Sequence, residues 1–195
     1  MSDESFTATF TVDRTPEEVF GAITDVRGWW SGEIDGRTDA LGEVFTYRYR
    51  DVHYSKQRIT ELVPGRTVVW HVEEGYLDFV ADTSEWTGTD IRFDIAPQEG
   101  GTEVRFTHVG LDPDAQCFDG CSSAWSFYIN GSLQQLITTG QGEPNDHATT
   151  GREAVPDTTA PDGAAVRGRH GRNGLRDRRG HLDRGGHHDG TRRSR

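Results

Sequence analysis

Residues 112–144 read DPDAQCFDGCSSAWSFYINGSLQQLITTGQGEP. The apolar residues Cys117, Cys121, Trp125, Ile129, Leu133 and Leu136 fall at steps of four, four, four, four and three. That spacing puts them on one continuous stripe of a long α-helix. Asp112-Pro113-Asp114 supplies a helix start and Gly140 a C-cap. The stripe needs a partner surface, and the residues upstream of it carry strand signals.

Val104, Phe106 and His108 alternate with polar residues, as do Thr89, Ile91, Phe93 and Ile95. Glu99-Gly100-Gly101 turns one of these runs into the other as a hairpin. Pro64-Gly65 joins a strand over 53–63 to another over 67–72, and Phe45, Tyr47 and Tyr49 mark an earlier one. Segment 73–88 reads mostly as a loop, with Tyr76–Val80 a candidate short strand. At the N-terminus FTATFTV (6–12) alternates as a half-buried strand. Thr15-Pro16-Glu17-Glu18 follows as a helix start with a capping box. Val19, Phe20 and Ile23 give that helix its apolar face, and a second short helix or turn holds Trp29 and Trp30. The order predicts an α+β fold, an antiparallel sheet with one long helix across one face.

Composition divides the chain at about residue 145. Every Trp, Tyr and Phe lies before Asn145, whereas 146–195 offers only Val155, Val166, Leu175 and Leu182 as large apolar residues. Ordering a residue costs roughly 1–2 kcal/mol of backbone entropy, which four scattered aliphatics do not offset. Residues 1–145 are therefore expected to fold, and 146–195 to be a disordered Arg/Gly/His-rich tail. The tail's composition is also that of a GC-rich gene read in another frame. It holds eleven Arg and seven acidic residues, so the formal −11 of the chain becomes −15 over residues 1–145. A body that acidic does not suit nucleic acid or an anionic membrane. The N-terminus has no signal-peptide pattern, no apolar run reaches a membrane span, and two Cys are too few for a secreted disulfide scaffold. A cytoplasmic location is expected.

Four pieces in order resemble the SRPBCC, or START-like, superfamily, and within it the C-terminal domain of the heat-shock-protein-90 ATPase activator. They are FTVDRTPEEVFGAITDVRGWWSG, RITELVPGRTVVWHV, TEVRFTHVGL and CSSAWSFYINGSLQQLITTGQGEP, covering residues 6 to about 145. The resemblance implies a helix-grip fold: a curved antiparallel β-sheet wrapped around a long C-terminal α-helix, with short helices after the first strand. It also implies a cavity between sheet and helix. The candidate lining residues are Phe45, Tyr47, Trp70, Phe93, Phe106, His108, Trp125, Tyr128, Ile129 and Leu133. By this likeness the chain is a binder of a small hydrophobic or amphipathic molecule, or a stress-related accessory protein. A polyketide cyclase or aromatase using the same cavity is the alternative, and a chaperone cofactor the second alternative. A homodimer is compatible with it, and no catalytic residue or cofactor is assigned.

Each candidate has a plainer reading. A single buried aromatic is usually core, and a His on an inward strand face is usually satisfied by a fixed partner. His108 is therefore expected to be structural; His53 and His71 carry less signal. Cys117 and Cys121, four apart, could hold a soft metal or act as a redox pair, but two small buried hydrophobes are the better reading, so no metal is assigned. Trp29-Trp30 either gates a pocket or anchors the short helix, and the anchor is preferred. No P-loop, nucleophile elbow, H-E-x-x-H or dinucleotide-binding pattern is present.

Overall fold

The structure is a computed structural model and describes residues 4–144; the expected tail lies outside the described residues. Strand β1 (Phe6–Val12) leads into helix α1 (Pro16–Thr24) and a 3-10 turn at Val26–Gly28. Strands β2 (Glu33–Gly36), β3 (Val44–Tyr49), β4 (His53–Val63), β5 (Thr67–Leu77), β6 (Asp90–Gln98) and β7 (Gly101–Val109) follow. The chain then enters a long helix in three parts: α2 (Phe118–Phe127), a π-helical segment (Tyr128–Leu133) and α3 (Gln134–Thr139). The seven strands form one antiparallel sheet in the order β1-β7-β6-β5-β4-β3-β2. A seven-stranded curved sheet carrying a long C-terminal helix is the α+β helix-grip arrangement.

Local chemistry accounts for these elements. Thr15 and Glu18 form a reciprocal capping box at α1, with Pro16 at its first position; such a cap contributes about 1 kcal/mol. Alternation along β6 and β7 buries Ile91, Phe93, Ile95, Val104, Phe106 and His108 on one face. Register shifts in the β4–β5 pair, between Lys56 and Gln57 and between Ile59 and Glu61, add local twist to the sheet. The core lies between that face and the helices, centred on Trp29, Trp70, Phe93, Phe106 and Trp125. Fully burying a large apolar side chain contributes about 1.5–3 kcal/mol.

Three details differ from the sequence reading. The helix begins at Phe118 rather than at Asp112-Pro113-Asp114, where Asp112 Oδ1 only closes a local turn on the Asp114 N–H at 2.9 Å. Its stripe is continuous because its centre is π-helical. Steps of four overshoot a 3.6-residue turn by about 40° each, and a π turn, closed by i→i+5 bonds, takes up that drift. Finally, β5 runs on to Leu77, so Tyr76–Val80 is not a separate strand, and the short edge strand β2 went unread in the sequence. Gly140, at φ 82°, ends the helix as expected, its N–H donating to Leu136 O at 2.9 Å. Beyond it, Ser132 Oγ donates to Trp29 O at 2.8 Å and accepts from the Glu143 N–H at 2.7 Å, binding the segment after the helix to the loop of the tryptophan pair.

Candidate aromatic cavity

Loop 78–89 makes the site. It folds back along β5: the Gly88 N–H donates to Val72 O at 2.8 Å, and the Val72 N–H to Thr89 O at 2.9 Å. Gly75 permits this, since a Cβ there would lie 2.8 Å from Trp86 Cβ. Trp86 is thereby placed under the helix. Its neighbour Glu85 accepts the backbone N–H groups of Gln116 (2.6 Å) and Cys117 (2.8 Å), and Gln116 Oε1 accepts the Ala81 N–H at 2.9 Å. A loop carboxylate thus satisfies orphan donors at the start of α2.

Between this loop, the β3–β4 turn and α2 lies a cavity of about 220 Å³. Trp30, Tyr47, Trp86, Trp125 and Tyr128 form its aromatic wall, with His53 and Cys121 beside them. Tyr49, Val52, Phe79, Gly120 and Ala124 are the more exposed lining residues and mark its mouth. Phe79 is 52% exposed and its Cε2 would touch a Cβ at Gly120 at 3.9 Å, so the ring lies over α2. No lining residue is charged. Trp30 stacks on Tyr47 with centroids 4.1 Å apart, and Trp86 on Trp125 at 5.7 Å. Where the cavity meets β3, Ser31 Oγ is hydrogen-bonded to Tyr128 Oη at 2.5 Å and lies 3.4 Å from Tyr47 Oη.

His108 stands behind this wall with both ring nitrogens occupied. Trp125 Nε1–H donates to Nδ1 at 3.0 Å, which makes Nδ1 the acceptor and Nε2 the protonated nitrogen. Nε2–H then donates to Thr89 Oγ1 at 2.9 Å, and Thr89 passes its own hydrogen to Trp86 O at 2.6 Å. Burial, with the nearby His53 ring, depresses the His108 pKa to about 3, so the ring is neutral at ordinary pH. His53 differs. It sits edge-on to Trp86 (4.4 Å) and Tyr47 (4.9 Å), and its Nε2 is buried with no hydrogen-bond partner among the described residues. Burial alone holds it neutral, with a pKa also of about 3. Burial likewise raises Tyr47 and Tyr128 above the ordinary phenol value.

The cysteines are free and buried. A thiol–thiol hydrogen bond, then burial, raises Cys117, and the same bond lowers Cys121, so Cys121 ionises first. The Trp86 indole N–H favours ionisation of both thiols, and among the described residues it has no hydrogen-bond partner. Among the described residues no group of three or more His, Cys, Asp or Glu is placed to hold a metal. A second, wider cleft near Arg27 and Arg37 is polar; Arg37 is paired with Asp39 at 3.1 Å, and Arg27 is bonded to the Ile34 and Gly36 carbonyls.

Of the ten residues expected at the cavity, Tyr47, Trp125 and Tyr128 lie on its wall. Phe45, Trp70, Phe93, Phe106, Ile129 and Leu133 are packed in the core away from the wall, and His108 is one layer behind it. Of the tryptophan pair, Trp29 is the anchor, fully buried with its Nε1–H on Ile23 O at 3.2 Å, and Trp30 joins the wall. His71 pairs with Asp90 at 2.7 Å and does not line the cavity. Trp86, Phe79 and His53 escaped the sequence reading as lining residues. Only an unexplained Trp inside a polar loop could have flagged Trp86.

Several solved structures share the fold. The Aha1 dimer from Colwellia psychrerythraea is 24% identical with a TM-score of 0.57, covering 71% of this chain and 98% of its own. A Staphylococcus saprophyticus protein, SSP2350, is 20% identical with a TM-score of 0.52, covering 71% and 95%. DynU16, from the dynemicin biosynthetic locus, is 13% identical with a TM-score of 0.55, covering 72% of this chain and 49% of its own. No curated protein matches. Among the described residues no helix is long and apolar enough to cross a membrane. The family model of the Activator of Hsp90 ATPase homolog 1-like proteins matches residues 13–138, and the chain belongs to that family.

Proposed function

We propose that this chain binds a small hydrophobic or amphipathic molecule in the aromatic cavity beneath Phe79. The observation that carries the reading is an open cavity of about 220 Å³ whose wall is aromatic and includes a buried, unpartnered ring nitrogen on His53. Ligand sites are mostly apolar with a few placed polar groups, and a buried polar atom without a partner is a cost that a bound molecule can relieve. Cytoplasmic residence and a homodimer belong to the same reading; the Colwellia protein, solved as a dimer, supports the latter.

A second reading, a cyclase or aromatase, draws on Ser31, Tyr47, Tyr128 and His53, polar groups gathered at one cavity. A general acid or base works best with a pKa near the operating pH. Both nearby histidines are held at about 3 and both tyrosines are raised. That electrostatic pattern favours binding over proton transfer. A chaperone-cofactor role is the third reading, and no feature of the cavity argues for it.

The test uses N-phenyl-1-naphthylamine, a neutral dye that brightens in apolar surroundings. The wild-type chain should bind it saturably at one site. Ala124→Trp, which puts an indole into the mouth, should abolish the signal without loss of fold. Equal binding by both proteins would place the dye elsewhere and end the proposal.

A further inference from the structure

The cavity wall carries no charge, but its surroundings do. Three residues of the mouth, Val52, Phe79 and Gly120, are each preceded in sequence by an exposed aspartate: Asp51, Asp78 and Asp119. The Asp78 N–H donates to Val52 O at 3.0 Å, which brings two of these positions together across the β3–β4 turn. The one cation of that turn, Arg50, lies over the Tyr49 ring, 5.3 Å from its centroid. A lining ring at the mouth therefore already holds a guanidinium on its face. The body around the cavity carries −15. A strongly acidic body raises the local concentration of cations, and aromatic faces attract cations, most strongly when both are desolvated.

We infer that the ligand is an organic monocation, an ammonium group carried on an apolar body, held against the Trp and Tyr rings of the wall and drawn in by Asp51, Asp78 and Asp119. This rests on the cavity being the binding site and adds the chemical class of the occupant. Four features converge on it: seven Trp, Tyr and Phe rings in the lining, no lining cation, three acids beside the mouth, and the unpartnered His53 Nε2. As a neutral imidazole nitrogen, Nε2 adds no positive charge to the wall, and its lone pair, where the tautomer leaves it unprotonated, favours a cation with or without an N–H. An anionic ligand would meet the acids and find no cation in the wall. A neutral one would leave the acids without a role.

The test is displacement of N-phenyl-1-naphthylamine from the full chain by two molecules of one shape, trimethyl(phenyl)ammonium and its uncharged isostere tert-butylbenzene. Transfer from water favours the uncharged molecule, so a preference for the cation must come from the rings and acids. The cation should displace the dye at a concentration at least tenfold lower. The preference should shrink several-fold in Asp51→Asn/Asp78→Asn/Asp119→Asn, whose exposed substitutions leave dye binding itself unchanged. Arg50→Gln should strengthen the cation's binding and not the isostere's. If the dye binds but the isostere competes as well as the cation, the cation inference is overturned and the cavity reading stands. If the dye does not bind at all, both fall.

Discussion

Replacing Trp125 by Phe removes the indole N–H and a small part of the ring. Trp125 is 2% exposed, and its ring packs on Phe106 (4.7 Å), Trp30 (5.0 Å) and Trp86 (5.7 Å), so a phenyl ring keeps much of the contact. The lost donor leaves His108 Nδ1 without the partner it has at 3.0 Å. His108 cannot escape by moving its proton. Thr89 gives its own hydrogen to Trp86 O at 2.6 Å and so requires the Nε2–H. An orphaned buried acceptor costs about 1–3 kcal/mol, and the smaller ring leaves a void costing about 1 kcal/mol more. Urea unfolding of Trp125→Phe should therefore show a loss of about 2–4 kcal/mol. His108→Leu, which orphans the indole instead, completes a double-mutant cycle. The double variant should cost at least about 1 kcal/mol less than the two singles together. Additivity, with a loss under about 1 kcal/mol for Trp125→Phe, would refute the relay.

The buried histidines also set the acid response. Both have native pKa values of about 3, below the unfolded 6.5, so the unfolded chain takes up protons first. Their stabilisation is whole above pH 6.5 and is lost as pH falls toward 3, at about 1.4 kcal/mol per pH unit for each ring. Urea midpoints between pH 6 and 5, before most carboxylates titrate, should fall steeply in wild type and less steeply in His108→Leu. An added Cβ at Gly142 would lie 2.3 Å from Gly28 O, whereas one at Gly131 meets nothing within 4 Å. Gly142→Ala should thus destabilise by about 1–3 kcal/mol and Gly131→Ala stabilise by about 0.5–1 kcal/mol, both read from thermal melts. Deleting residues 150–195 should leave the melting temperature within about 2 °C, because four scattered aliphatics supply no core; a larger drop would mean that this segment packs on the body.

The parts of the fold that follow from periodicity were legible in the sequence. Val104, Phe106 and His108 do share the inward face, and Cys121, Trp125, Ile129 and Leu133 are all buried along the helix. Two-residue and four-residue spacings fix a face, and a face fixes burial. They do not fix depth. His108 and Tyr47 both point inward, yet one is sealed behind Trp86 and Trp125 and the other meets open space. What separates them is loop 78–89, whose path depends on Gly75 yielding space to Trp86 and on Glu85 reaching the start of α2. Those are contacts between residues far apart in sequence, with no period to announce them. The π-helical segment was hidden for a related reason. A stripe at steps of four reads as α-helix, and only the need to keep it facing one sheet shows that an α-helix would carry it away.

The central claim is that the cavity beneath Phe79 is where this protein meets its ligand. The five tryptophans test it directly, because each indole N–H gives its own proton–nitrogen NMR signal. Trp30, Trp86 and Trp125 line the cavity, while Trp29 and Trp70 are buried in the core behind it. Titration with N-phenyl-1-naphthylamine should move the first three signals most, saturating together with one dissociation constant, and move the other two least. Shifts largest at Trp29 and Trp70, or no indole shift while the dye still binds, would contradict the account.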